Sequence, residues 1–417
     1  MTSFDEDLNE RLAVLREQNL FRELRRVDSA QSPRLEIGGK TFLNFSSNDY
    51  LGLANHPALK EAAIKAIGKF GAGAGASRLV CGSLAPFHEM EEILAAFKKT
   101  EAALTFSTGY AAALGTITAL IGKNDIIIVD KLVHACIVDA AKLSGAKLRV
   151  FDHNDLNDLE AKLKWADEFS KAESGKRKAE ILVVTESIFS MGGDAAPLRE
   201  IVALKEKYGA WLMVDEAHAT GLIGENGRGL ANELGVSGQI EIQMGTLGKA
   251  FGASGGYICG SRALVDFLVN RARSFIFSTA PVPAAAAAAI AGIQLSQSLE
   301  GDARRKTLWR HVRVVGDDVR SLKSSCVESQ RLLTSSPTNN GSAIIPLIIG
   351  DETRAVATAT KLRKQNIFVP AIRYPTVARG AARLRITLTA AHSAADVAEL
   401  TRGLGDLKSE ISNLKSP

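Results

Sequence analysis

The sequence predicts an α/β chain: a large, mostly parallel sheet covered by helices on both faces, followed by a smaller C-terminal α+β domain. Short β-branched, apolar runs alternate with helical patterns through the middle of the chain. Strand, helix and strand at that spacing is the signature of parallel neighbours joined by crossovers. After about residue 290 the alternation gives way to a long helical stretch and a few isolated strands.

Residues 126–129, 147–151, 181–185, 211–215 and 257–260 read as buried strands. Between the third and fourth, residues 198–208 carry a helical pattern, and Pro197 is well placed to open it. The alanine run at residues 284–289 reads as tight helix packing. Farther on come a helical stretch through the 290s to the 320s and a polar, turn-rich segment at 334–342. A strand at 343–349, a helix at 352–365, short strands near 367–369 and 383–389, and a last helix complete the chain. The expected organisation is an N-terminal arm (residues 1–55), a large α/β domain (56–290) and a C-terminal α+β domain (291–417).

A chain of 417 residues, 46% hydrophobic and 23% charged, supports a sizeable core. The formal charge of +5 is small and the two signs are interleaved, so no nucleic-acid footprint stands out. Cys81, Cys136, Cys259 and Cys326 form no CxxC pair and no histidine stands at zinc spacing, so no metal is expected. The apolar stretches fall short of the roughly 20 residues needed to span a bilayer. Phe4, Leu8, Leu12 and Leu15 give the N-terminus an amphipathic look, but its acids set it apart from a transit peptide. A cytoplasmic protein with reduced thiols is the expectation.

Four stretches carry chemistry. In Trp211-Leu-Met-Val-Asp-Glu-Ala-His218 an apolar strand ends at Asp215, where ligands gather in open α/β sheets. An aspartate there suits a protonated pyridine nitrogen; a solvent-facing acid beside a helix-capping His218 is the plainer alternative. The same four residues evoke an ATPase magnesium motif, but Arg34 stands where its phosphate loop needs the first glycine. Lys249 lies in the glycine-rich run 244–256, with the Thr246 hydroxyl three residues before it. A desolvated lysine beside a cationic ring is an amine nucleophile; a flexible basic loop is the alternative. Ser107-Thr-Gly-Tyr-Ala-Ala-Ala113 follows a strand and opens a helix, where the N–H groups of Gly109 and Tyr110 make an anion cradle or an ordinary cap. His134 and Ser190 are ambiguous alone. Arg383 and Arg385 sit two apart on a strand and so share a face, which suits a carboxylate grip for one and surface ion pairing for the other.

Together with residues 44–53, 73–82, 153–155, 186–194 and 383–392, these motifs resemble the α-oxoamine synthases, a branch of the fold-type I enzymes dependent on pyridoxal 5′-phosphate (PLP). The resemblance runs from about Leu8 to Leu404. Within the branch it points to the biotin-pathway members that join alanine to a pimeloyl thioester with loss of carbon dioxide. It implies that Lys249 attaches the cofactor and shuttles the α-proton of the amino acid. Asp215 pairs with the ring nitrogen, His218 with the ring oxygen, and His134 stacks on the ring. Gly109, Tyr110 and Thr246 hold the phosphate, and Ser190 lines the site. Arg385 clamps the amino-acid carboxylate beside Asn48, while Arg22 and Thr376 contact the acyl substrate. A homodimer with shared sites is implied, and the acyl donor is a coenzyme A or carrier-protein thioester. Tyr374 and Ala378 depart from the biotin-pathway pattern. Tyr374 is shared with relatives that use glycine and a succinyl thioester; branches using serine or other acyl donors stay open, as does a PLP fold without activity.

Overall fold

The computed structural model describes residues 2–18, 20–172, 178–324 and 341–407. An N-terminal helix, Ser3–Glu17, is closed by a reciprocal cap between Thr2 and Asp5. None of its residues is buried, and Phe4, Leu8 and Leu15 are exposed. A hairpin follows, β1 (Arg34–Ile37) and β2 (Lys40–Asn44).

The next seven strands are β3 (Ala102–Phe106), β4 (Ile126–Asp130), β5 (Lys147–Phe151), β6 (Ile181–Glu186), β7 (Trp211–Asp215), β8 (Ile242–Thr246) and β9 (Gly256–Gly260). They form one sheet in the order β3-β9-β8-β7-β6-β4-β5. β5, β4, β6, β7 and β8 run parallel, and β9 is antiparallel to both β8 and β3. Helices cover both faces, so β4 and β6 are buried at every residue and show no alternation. Each buried valine, leucine or isoleucine contributes about 1.5–3 kcal/mol. The reading of residues 147–151 as a buried strand is corrected: β5 lies at the sheet edge and only Phe151 is buried.

The remaining strands are β10 (Ile344–Gly350), β11 (Ile367–Phe368), β12 (Ala371–Ile372) and β13 (Ala382–Thr387). β13 lies between β10 and β12, antiparallel to both. β11 joins the N-terminal hairpin, parallel to β2. One apolar core therefore unites Leu43, Phe45 and Leu51 with Leu308, Leu384 and Leu400, over 250 residues later. The expected single helical stretch beyond 290 is two helices, Pro283–Ser296 and Leu299–Ser324, and the proposed division at 290 falls within the first. That alanine-rich helix packs closely enough that a Cβ on Gly292 would meet the Phe251 carbonyl oxygen at 2.2 Å. Residues 334–340 and Cys326 lie outside the described residues.

Candidate active site

The carboxyl ends of β6 and β7 stand in register, with Glu186 opposite Asp215. Beyond β7 the chain turns tightly, the Ala217 N–H donating to Asp215 Oδ1 at 2.9 Å. Asp215 and His218 face the site, whereas Glu216 points into the core, where Lys98 Nζ reaches its Oε2 at 2.5 Å. His218 is buried and joins two distant segments. Its Nδ1 lies 2.5 Å from the Tyr50 hydroxyl and its Nε2 lies 2.8 Å from Lys249 Nζ. Burial keeps the ring neutral, its pKa well below the ordinary value. Burial also pushes the Tyr50 phenol up to about 12, so it keeps its proton, and the hydroxyl also donates to Asn48 Oδ1 at 3.3 Å. A neutral imidazole carries one N–H. Only one of its two contacts, to Tyr50 or to Lys249, can therefore be one in which the ring donates.

The Lys249 amine is lowered to about 8 by burial, against the opposing pull of Asp215 and Glu186. Burial raises Asp215, countered by Lys249. Glu186 is raised to about 8 by burial and by the Asp215 charge. Its Oε2 accepts from the Ser190 N–H at 3.2 Å, but its Oε1 is buried without a hydrogen bond among the described residues. Two buried acids, one of them incompletely satisfied, with a poised amine make a pocket suited to a cationic ring that carries an aldehyde. The fit to PLP is good at this end.

It is good at the other end as well. Thr108 caps the helix Gly109–Leu120, its hydroxyl accepting from the Ala111 N–H at 3.0 Å. The cap leaves the N–H groups of Gly109 and Tyr110 for an anion. Gly109 lies at a close approach: a Cβ on Gly256 would come within 2.6 Å of its backbone, and a Cβ on Gly109 within 4.0 Å of the Thr246 Cβ. The Thr246 hydroxyl donates to the Gly255 carbonyl at 2.9 Å and accepts from the Gly248 N–H at 3.2 Å. Tyr110 is half-exposed and donates its hydroxyl to Asp139 Oδ2 at 2.8 Å. His134 caps the helix Ala135–Ser144, with its pKa lowered by burial, and it feels the charges of Asp215 and Lys249.

Arg385, on β13, is buried without a carboxylate partner among the described residues. Its Nε donates to the Ser190 carbonyl at 2.7 Å, and its Nη1 to Asn48 Oδ1 at 3.1 Å and Thr387 Oγ1 at 3.0 Å. Arg383 turns to the same loop, its Nη1 donating to the Met191 carbonyl at 3.3 Å. Arg22 and Thr376, 354 residues apart, meet at 3.5 Å on the exposed face of the C-terminal part. No described contact links that pair to Lys249. Tyr50 and Glu186 had no assigned role in the sequence. Glu186 was detectable as an acid closing an apolar strand, as Asp215 does; nothing local marks Tyr50, which lies 168 residues from its partner.

The aminotransferase class I and II profile matches residues 40–404. The 8-amino-7-oxononanoate synthase of Geotalea daltonii is 46% identical over 388 residues, covering 93% of this chain and 94% of that protein. Among solved structures, the serine palmitoyltransferase of Sphingomonas wittichii matches with a TM-score of 0.86 at 32% identity, covering 100% of this chain and 99% of that one. An 8-amino-7-oxononanoate synthase from Francisella tularensis matches with a TM-score of 0.71 at 28% identity, covering 89% and 98%. Motifs, sheet order and these likenesses agree: the chain belongs to the aminotransferase class I and II family, in the α-oxoamine synthase branch of the fold-type I PLP enzymes.

Proposed function

We propose that the chain uses PLP to condense L-alanine with a pimeloyl thioester, of coenzyme A or of a carrier protein. The products are 8-amino-7-oxononanoate, carbon dioxide and the free thiol, a step of biotin biosynthesis. The observation that carries the reading is the buried chain Tyr50–His218–Lys249 beside Asp215. The cofactor supplies an electron sink for the α-carbon of the amino acid.

The protein supplies placement and proton control. Lys249 Nζ is the attachment point and, once released, takes and returns the α-proton; an amine near 8 is fit for both. Asp215 would hold a negative charge against the ring nitrogen, and His218 Nε2 would face the ring oxygen. His134 would pack on the ring, Ser190 would line it, and Gly109, Tyr110 and Thr246 would hold the phosphate. Arg385 grips the amino-acid carboxylate beside Asn48, while Arg22 and Thr376 receive the acyl chain.

A homodimer completes the proposal. Tyr110, Leu132, Phe277 and Val282 leave apolar surface exposed that a second copy would cover. No described helix is long and apolar enough to cross a membrane, in keeping with the proposed cytoplasmic location. The solved serine palmitoyltransferases favour a second reading, serine with a long acyl thioester. The curated relatives at 42–46% identity favour alanine and pimeloyl. Purified holoprotein offered alanine, serine or glycine with pimeloyl, palmitoyl or succinyl thioesters should form the product of alanine and pimeloyl fastest. A faster serine and palmitoyl reaction would replace the proposal with the second reading.

A further inference from the structure

Outside the residues already assigned, one partly buried histidine holds two acids. His153 Nδ1 lies 2.9 and 3.1 Å from the Asp130 oxygens at the end of β4, and its Nε2 lies 2.6 Å from Asp194 Oδ2. A neutral ring has one N–H, so carboxylates on both nitrogens require the doubly protonated imidazolium. Burial opposes that charge, but the bonds to Asp130 and Asp194 outweigh it and raise the ring to about 9. The Phe189 and His153 rings meet at right angles with centroids 4.4 Å apart, and Asn154 Nδ2 donates to Asp194 Oδ2 at 3.2 Å and to the Ala195 carbonyl at 3.1 Å. Arg383, from β13, feels the charge of Asp194, and the exposed Lys131–Asp152 pair adjoins Asp130 and His153 in sequence.

Asp194 belongs to a small loop closed by a bridge between Ile188 and Ala195. Its tip presses on β10: a Cβ at Gly193 would stand 2.4 Å from the Ile344 carbonyl oxygen. In the middle of the loop is Ser190, whose carbonyl accepts from Arg385 Nε and whose N–H donates to Glu186. The path from His153 to the guanidinium is short and bonded throughout.

We infer that His153 is a positioning residue for Arg385: its imidazolium, clasped between Asp130 and Asp194, fixes the 188–195 loop, so the Ser190 carbonyl holds the guanidinium ready for a carboxylate. The inference rests on the reading of Arg385 as the amino-acid carboxylate site.

The test is the dissociation constant of L-alanine on the holoenzyme, followed by cofactor absorbance, in wild type, H153Q, R385A and the double variant. R385A should raise it by at least about 30-fold and H153Q by about 10-fold, with the double variant within about twofold of R385A. The KM for the acyl thioester should stay within about twofold in H153Q. An alanine constant unchanged in R385A overturns the carboxylate reading itself. One raised in R385A but unchanged in H153Q, or multiplied in the double variant, overturns the positioning role alone. So does an equal rise in both substrates' constants, the mark of a loosened fold. If H153Q does not fold, D194N serves instead: a rise of several-fold is expected, and no change overturns the inference. Nitrogen NMR of labelled histidine should show His153 doubly protonated at pH 7.5; a neutral ring there would also overturn it.

Discussion

Lys249 Nζ stands 2.8 Å from His218 Nε2, and the opposite nitrogen of that ring is hydrogen-bonded to the Tyr50 hydroxyl at 2.5 Å. A residue of the N-terminal segment thereby holds the histidine that contacts the buried lysine. Y50F removes that hydroxyl and its hold on the ring. A hydrogen bond of this kind is worth about 0.5–1.5 kcal/mol, so kcat should fall by up to about tenfold while cofactor content is retained. Titration of bound PLP by absorbance and steady-state kinetics check both. Unchanged kcat would detach Tyr50 from the mechanism.

D215N keeps the shape of the strand end and removes its charge. Exchange of the alanine α-proton with solvent deuterium, read by proton NMR without any acyl donor, should slow by more than about 100-fold. Near-normal exchange would show that Asp215 is not the partner of the ring nitrogen.

Much of this site was legible because its groups end or follow local patterns. Asp215 closes an apolar strand, Lys249 lies among glycines, and Gly109 opens a helix after a strand. The edge position of β5 was not legible, because residues 147–151 are as rich in strand formers as their buried neighbours. The exposure of the helix Ser3–Glu17 was equally hidden. Its apolar spacing states that a face exists, not what covers it. The Tyr50–His218 and His153–Asp194 contacts depend on tertiary approach and leave no trace in sequence spacing.

The His153 clasp predicts a pH dependence of stability. Its folded pKa, about 9, lies above the ordinary value of 6.5, so the native state holds the proton more tightly than the unfolded chain. Its stabilisation is full below pH 6.5 and is lost as pH rises through 9. Urea denaturation should show wild type well above H153Q at pH 6, with the gap closing by pH 9.5. A gap that does not change with pH would mean the ring is not charged in the fold.

Arg22 meets Thr376 on the exposed face proposed to receive the acyl chain. A charge-assisted bond to the far carboxylate of pimeloyl is worth about 1.5–3 kcal/mol, a ten- to hundredfold preference. R22A should lose that much kcat/KM with pimeloyl thioester and little with heptanoyl thioester. Equal losses would move the acyl carboxylate elsewhere.

The most direct test of the account is chemical. Borohydride treatment of the holoprotein, followed by digestion and mass mapping, locates the lysine to which the cofactor is attached. The buried amine beside His218 and Asp215 predicts the phosphopyridoxyl mass on the peptide containing Lys249, and its loss in K249A together with turnover. Label on any other lysine, or turnover that survives in K249A, would contradict it.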